Sequence, residues 1–121
     1  MADHGIFVGF GTPTRGRENG ATKVFTEFGQ YLGAQQAQKN IESFEPVFLQ
    51  AHGGDLGGFF LIKGEREKLD KMVASEEFDK LATRALFVVE HFGVVNASFG
   101  GRVQKLLGSF QRDTADLGGR T

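Results

Sequence analysis

A histidine and an aspartate lie among glycines in the stretch QAHGGDLGG, which covers residues 50–58. A carboxylate beside a histidine fixes the tautomer of the imidazole and raises its basicity, which is the usual arrangement of a general base. His52 is therefore a candidate catalytic acid or base, with Asp55 to orient it. A structural role is the alternative. Aspartate is favoured in turns because its side chain bonds its own backbone, and His52 would then only end a strand.

The two strands that we predict at residues 43–52 and 94–99 supply candidate ligand-binding residues. Side chains alternate between the faces of a strand, and one alternate set suits a helix-covered face: Val47, Leu49, Ala51, Val95, Ala97 and Phe99. The opposite set would share a face with His52, and its members are our candidate ligand-binding residues: Phe48, Gln50, Asn96 and Ser98. Apolar walls with a few polar groups are typical of small-molecule sites. We therefore predict a Phe-lined pocket between sheet and helices that suits a hydrophobic or aromatic molecule.

Two other kinds of functional site, a phosphate-binding loop and a metal site, do not fit the sequence. In GTPTRGRE, residues 11–18, Arg17 and Glu18 replace the lysine and the hydroxyl residue that a phosphate loop requires. The chain has no cysteine, and its three histidines lack the spacing of metal ligands. His4 lies near the terminus, and His91 is expected near a helix end, where the dipole favours a cation. We expect no metal and no cofactor.

Composition narrows the class of protein further. The formal net charge is −1, and the lysines and arginines are scattered along 121 residues. Nucleic-acid binding needs clustered positive charge, so we expect no nucleic-acid partner. No apolar run approaches the ~20 residues of a membrane span, and the start of the chain does not read as a signal peptide. We therefore expect a cytoplasmic protein that does not bind membranes.

The elements that must position these residues follow from hydrophobic periodicity. Strands are predicted at residues 5–10, 43–52, 57–64 and 94–99, with residues 53–57 as a hairpin turn. Helices are predicted at 21–39, 65–73, 75–93 and 103–110, with Ser75 as an N-cap and Gly93 as a C-terminal stop. The order β-α-β-β-α-β plus a C-terminal helix predicts an α+β, ferredoxin-like fold with a four-stranded antiparallel sheet. We assign residues 1–112 to one domain and residues 113–121 to a polar C-terminal tail.

Both faces of this sheet are predicted to be apolar. Phe59 and Leu61 alternate with Phe60 and Ile62, so neither face of that strand is polar. A large apolar patch is rare on a monomer, and helices cover only one face of a ferredoxin-like sheet. The sequence therefore predicts a homodimer that forms through the other face.

The stretch GGFFLIKGEREKLDKMVASEEFDK, residues 57–80, resembles the second half of dimeric α+β-barrel proteins. In these proteins a glycine pair opens a strand, and the helix that follows ends in a short acidic-Phe motif. The YCII-related and antibiotic-biosynthesis-monooxygenase-like families are similar to it. The resemblance implies two ferredoxin-like sheets that face each other in a homodimer, with a ligand pocket between sheet and helices. Members of this superfamily include oxygenases, isomerases, haem enzymes and proteins without known activity, so the fold does not determine the function.

Two hypotheses for the function follow. The first is a cofactor-free enzyme that acts on a small apolar or aromatic molecule and uses His52 as its acid or base. The second is a non-catalytic module that binds a small molecule or another protein. An acid or base must lie within hydrogen-bond reach of a bound substrate, so the surroundings of His52 discriminate between the two.

Overall fold

The computed structural model describes residues 3–118 of the chain. Its elements are β1 (His4–Phe10), α1 (Glu18–Ala37), β2 (Ser43–Phe48), β3 (Gly58–Gly64), α2 (Arg66–Val73), α3 (Glu76–Val88), β4 (Gly93–Ser98), α4 (Gly101–Asp113) and a short 3₁₀ turn (Ala115–Leu117). The predicted α+β order is confirmed, with α2 and α3 together in the place of the second crossover helix.

The four strands form one antiparallel sheet in the order β2-β3-β1-β4. This is the strand order of a ferredoxin-like split βαβ arrangement, in which the first and third strands lie at the centre. The central strand β3 is buried at every second residue, on the helix side of the sheet, and Ile6 and Val8 of β1 are buried on the same side. The edge strands β2 and β4 are more exposed.

The core lies between the central strands and the helices α1, α2 and α3. Its most completely buried side chains come from the two central strands and from all three helices: Val8, Phe28, Leu32, Phe60, Ile62, Leu69 and Phe78. Burying side chains of this size contributes ~1.5–3 kcal/mol each, so this layer holds the domain together. The predicted N-cap of α3 is confirmed, because the Ser75 hydroxyl accepts a hydrogen bond of 3.2 Å from the backbone N–H of Phe78.

The end of α3 differs from the prediction. The helix ends at Val88, and Gly93 begins β4 instead of ending the helix. The backbone of Glu90 pairs with residues 11 and 12: the N–H of Gly11 donates to Glu90 O, and the N–H of Glu90 donates to Thr12 O. These bonds compete with the next turn of the helix, and the chain then reverses at His91, where φ is 55°.

The predicted parity of the two edge strands is wrong. Phe48 pairs with Gly58, and Asn96 pairs with Ile6, so both side chains belong to the helix side of the sheet. Val47 and Val95 lie on the opposite side, because they pair with Phe59 and Phe7. Neither edge strand is fully covered by helices, so apolar residues on it do not have to point towards the core. The alternation of polarity therefore gave no reliable signal there.

The face of the sheet that carries no helix is called the open face below. Its side chains are largely apolar, as predicted: Phe7, Val47, Phe59, Leu61, Val95 and Ala97, together with Glu45 and Lys63. Val95 is 57% exposed. No helix within residues 3–118 is long and apolar enough to cross a membrane.

Candidate functional site

A cavity of about 650 Å³ opens between the helix side of the sheet and the helices α1 and α3. Its inner wall is apolar and includes Val8, Phe25, Phe28, Phe60, Ala85 and Phe92. Its outer wall is the segment between β2 and β3, residues 49–57. This volume lies in the range of ~300–1,000 Å³ that is usual for small-molecule pockets.

Phenylalanine rings form a continuous stack along one side of the cavity. The Phe25 ring on α1 lies between the rings of Phe48 and Phe60, with centroids 5.0 Å away on each side. Phe28 continues the stack beyond Phe60, at a centroid distance of 5.7 Å. Phe60 and Phe28 are each only 2% exposed, whereas Phe48 is 70% exposed. The stack therefore runs from the core to the mouth of the pocket.

The segment 49–57, called the hairpin loop below, links the antiparallel strands β2 and β3, as predicted. It is longer than the predicted turn at residues 53–57, because β2 ends at Phe48 and not at residue 52. The antiparallel ladder continues into it, because the N–H of Leu49 donates to Gly57 O at 2.9 Å. The N–H of Gly57 in turn donates to Phe10 O at 2.8 Å. Gly53 turns the chain with a φ of 85°, a conformation that glycine adopts without strain. The loop is therefore anchored at its base, while residues 50–55 are exposed at the mouth.

His52 holds the hairpin loop in its folded shape. Its Nδ1 accepts a hydrogen bond of 3.3 Å from the N–H of Gly54. The other ring nitrogen, Nε2, lies 2.8 Å from Leu56 O, a carbonyl that only accepts. These two bonds together require the neutral imidazole with its proton on Nε2. Both nitrogens of His52 are thus engaged by the backbone of its own loop.

Asp55 does not contact His52, so the structure does not assemble the predicted pair. Its Oδ1 lies 3.7 Å from Nε2 of His91, in the turn between α3 and β4. Both side chains are exposed, and an exposed polar contact of this length contributes little to stability. The contact connects the hairpin loop to the opposite rim of the pocket.

Gly11 allows the hairpin loop to lie close to the sheet. A Cβ atom at Gly11 would lie 2.8 Å from Asp55 O and 2.9 Å from Glu90 O, closer than carbon and oxygen tolerate. Any other residue would push one of these two backbone segments away. The absence of a side chain here is therefore what lets the loop close over the rim.

The other predicted ligand-binding residues fall into two groups. Phe48 and Gln50 line the pocket, and Gln50 follows the end of β2 instead of lying on it. Asn96 and Ser98 lie on β4 and do not line the pocket. The Ser98 hydroxyl accepts a hydrogen bond of 3.1 Å from Nε of Arg102. The structure therefore brings His52, Asp55, Phe48 and Gln50 to one mouth and leaves Asn96 and Ser98 outside it.

Several lining residues were not singled out from the sequence. They are Phe10, Thr12, Thr22, Phe25, Ala85 and Phe92. An apolar residue beside the buried stripe of an amphipathic helix is normally interpreted as part of the core. Phe25 lies beside Val24 and Phe28 of that stripe, so its sequence position does not indicate a pocket. The signal that was available is the count of 13 phenylalanines against one tyrosine and no tryptophan.

Chemically, the pocket separates an apolar interior from a polar mouth. The polar side chains among its described lining residues are Thr12, Thr22, Gln50, His52 and Asp55. Thr22 and the hairpin-loop residues Gln50, His52 and Asp55 are exposed, so the polar groups lie mainly near the entrance. This arrangement binds an apolar body and leaves a polar end near the solvent.

Comparison with known proteins supports the fold. The chain is similar to a dimeric protein of unknown function with a ferredoxin-like fold from Bacteroides fragilis, with a TM-score of 0.57 and 11% sequence identity. The match covers 79% of this chain and 96% of that one. No protein-family model and no curated protein matches the sequence. The predicted ferredoxin-like fold is confirmed.

Proposed function

We propose that this protein binds a small hydrophobic or aromatic molecule in the pocket between its sheet and its helices. The observation that carries the proposal is the cavity itself, with a Phe-lined interior and polar residues at its mouth. A polar ligand such as a sugar or a nucleotide would lose its hydrogen bonds to water on this interior wall. An apolar ring system would stack against Phe25, Phe48 or Phe60 without that cost.

The same proposal includes a homodimer that forms through the open face. Phe7 and Phe59 pack against each other there, with ring centroids 4.9 Å apart, and Val95 is exposed beside them. Apolar surface of this extent favours association, because burying it removes it from water. The similar Bacteroides fragilis protein is described as dimeric, which agrees with this part of the proposal. The resemblance to YCII-related proteins stays a prediction on which the proposal does not depend.

Titration with N-phenylnaphthylamine tests the binding proposal, because this neutral aromatic probe fluoresces strongly in apolar surroundings. Ala85 lies on the inner wall and is buried, so Ala85→Phe fills part of the cavity. Ala34 lies on the exposed side of α1, so Ala34→Phe is the matched control. We expect the probe to bind the wild type and Ala34→Phe alike, and Ala85→Phe to weaken binding at least tenfold. Equal binding by all three folded proteins would overturn the proposal.

A second candidate function, catalysis by His52, is favoured by the position of its imidazole at the pocket mouth. An acid or base role requires one ring nitrogen to exchange its loop partner for the substrate. Nitrogen-15 NMR of the imidazole reports this change directly, because the two nitrogens have different shifts in each tautomer. Retention of the Nε2-protonated form and both loop bonds with the probe bound would favour the binding module. Loss of either bond would favour the enzyme.

A further inference from the structure

The C-terminal helix α4 carries an apolar stripe that its own chain does not bury. Val103, Leu106, Leu107 and Phe110 follow the i, i+3, i+4, i+7 spacing of one helix face. No residue of α4, all of which the structure describes, is buried. Phe110 is 68% exposed. Most helical stability in proteins comes from packing an apolar face, so α4 needs a partner surface to be stable.

The stripe is continuous with the open face through Phe99. The Phe99 ring lies over Gly5 on the open face, where a Cβ atom at Gly5 would be 2.6 Å from it. The ammonium of Lys63, another open-face residue, lies 5.0 Å from the centre of the same ring. The next residue, Gly100, has a φ of 53° and begins the turn into α4. The helix therefore leaves the sheet from the same side that we propose as the dimer interface.

The dimensions of the two surfaces are complementary. A face of four strands spaced ~4.8 Å apart, each ~20 Å long, has a flat footprint of ~380 Å². A standard stable interface buries ~800 Å² of accessible surface on each partner, so this face alone falls short. A helix of 13 residues is ~20 Å long and ~10 Å wide, which adds ~200 Å² and matches the strands in length. The face and the helix together supply a flat footprint of at most ~580 Å² on each partner, which is closer to the standard size than the face alone.

We propose that α4 is an exchanged arm whose apolar stripe packs on the open face of a second copy of this chain. This inference rests on the homodimer in the proposed function and specifies which segments form it. Both copies would exchange their arms, as a two-fold axis requires. The arm then obtains the apolar partner that it lacks within its own chain.

Sedimentation velocity over a dilution series tests the arm with a matched pair of charge variants. Leu106→Lys with Phe110→Lys places two charges on the stripe, whereas Gln104→Lys with Gly108→Lys places them on the flank and the back of the helix. We expect the stripe variant to raise the dimer dissociation constant at least tenfold and the control to change it less than twofold. Circular dichroism and urea unfolding verify that both variants remain folded.

A third variant distinguishes a failure of the arm from a failure of the dimer itself. Val95→Lys charges the open face directly, and we expect it to dissociate the dimer. If Val95→Lys dissociates it while the stripe variant does not, the dimer stands and the arm inference fails. A wild type that stays monomeric at micromolar concentrations would reject both.

A cross-linking experiment identifies the surface on which the arm packs. The chain contains no cysteine, so Leu106→Cys supplies a unique attachment point for a benzophenone maleimide. We expect photolysis to give a dimeric adduct whose cross-link maps to β1, β3 or β4 of the other copy. An adduct within one chain, or between two α4 helices, would overturn the exchange.

Discussion

The two faces of the sheet carry similar side chains and have different environments. On the helix side Phe60 is buried and stacks on Phe25 and Phe28. On the open face its sequence neighbour Phe59 contacts Phe7 and stays partly exposed. One chain therefore completes the helix side as a core with a cavity, while the open face still lacks a cover.

This contrast shows which functions each face can serve. A cavity with fixed walls selects a molecule by shape and polarity, so the helix side suits a ligand. An open apolar surface with a matching stripe on α4 suits a second copy of the same chain. The hydrophobic effect acts on both faces, but only the connectivity of the chain decides which one the helices cover.

The largest expected change in the free energy of unfolding comes from removing one phenylalanine ring from each face of the sheet. Phe60→Ala leaves a hole in the core and should lower the free energy of unfolding by about 3–5 kcal/mol at any protein concentration. Phe59→Ala should act mainly through the dimer, so its effect should shrink as the protein is diluted. Urea unfolding at several protein concentrations measures both.

The reverse pattern would contradict the assignment of the two faces. A concentration-dependent effect of Phe60→Ala, or a loss above 3 kcal/mol for Phe59→Ala in dilute protein, would show that the open face is part of the monomer core.

A smaller change, in ligand affinity, is expected when a methyl group is placed beneath the hairpin loop. Gly11→Ala brings a methyl group against Asp55 O and Glu90 O, so the loop should move away from the rim. We expect the affinity for N-phenylnaphthylamine to fall about tenfold, a change of ~1.4 kcal/mol. Gly93→Ala is the matched control, because a Cβ atom there has no described neighbour within 4 Å. Equal affinities of the two variants would show that the loop does not shape the pocket.

The smallest change in stability is expected from replacing two serines, one at the start of α3 and one within α4. Ser75 caps α3, which covers the helix side, and Ser75→Ala should lower the free energy of unfolding by about 1 kcal/mol. Ser109 lies in the exposed arm and accepts a hydrogen bond from Arg112. Ser109→Ala should therefore change stability by less than ~0.5 kcal/mol. Thermal unfolding resolves the two, and equal losses would show that the arm is integrated in the monomer.

Much of the fold could be predicted from the sequence because local signals agreed with the tertiary structure. The stripe of Val24, Phe28 and Leu32 is buried as its helical spacing predicts. The glycines around residue 53 form the hairpin turn that their spacing favours. Hydrophobic periodicity is strong along whole helices and strands, so their order along the chain could be predicted.

Less of the site than of the fold could be predicted from the sequence. The parity of β2 and β4 depends on their pairing register, which periodicity cannot supply for edge strands that are only partly covered. The contacts of His52 and Asp55 depend on the backbone path of a glycine-rich loop, where many conformations are allowed. A Phe-lined pocket between sheet and helices is predicted from the sequence, but the contribution of Phe25 requires the position of α1 on the sheet.

The most direct test of the account is to locate a bound probe on one of the two faces. Intermolecular nuclear Overhauser effects from N-phenylnaphthylamine to carbon-13-labelled phenylalanine rings make this distinction. We expect contacts to Phe25, Phe48 and Phe60, on the helix side. Contacts to Phe7 and Phe59 alone would place the probe on the open face and contradict it.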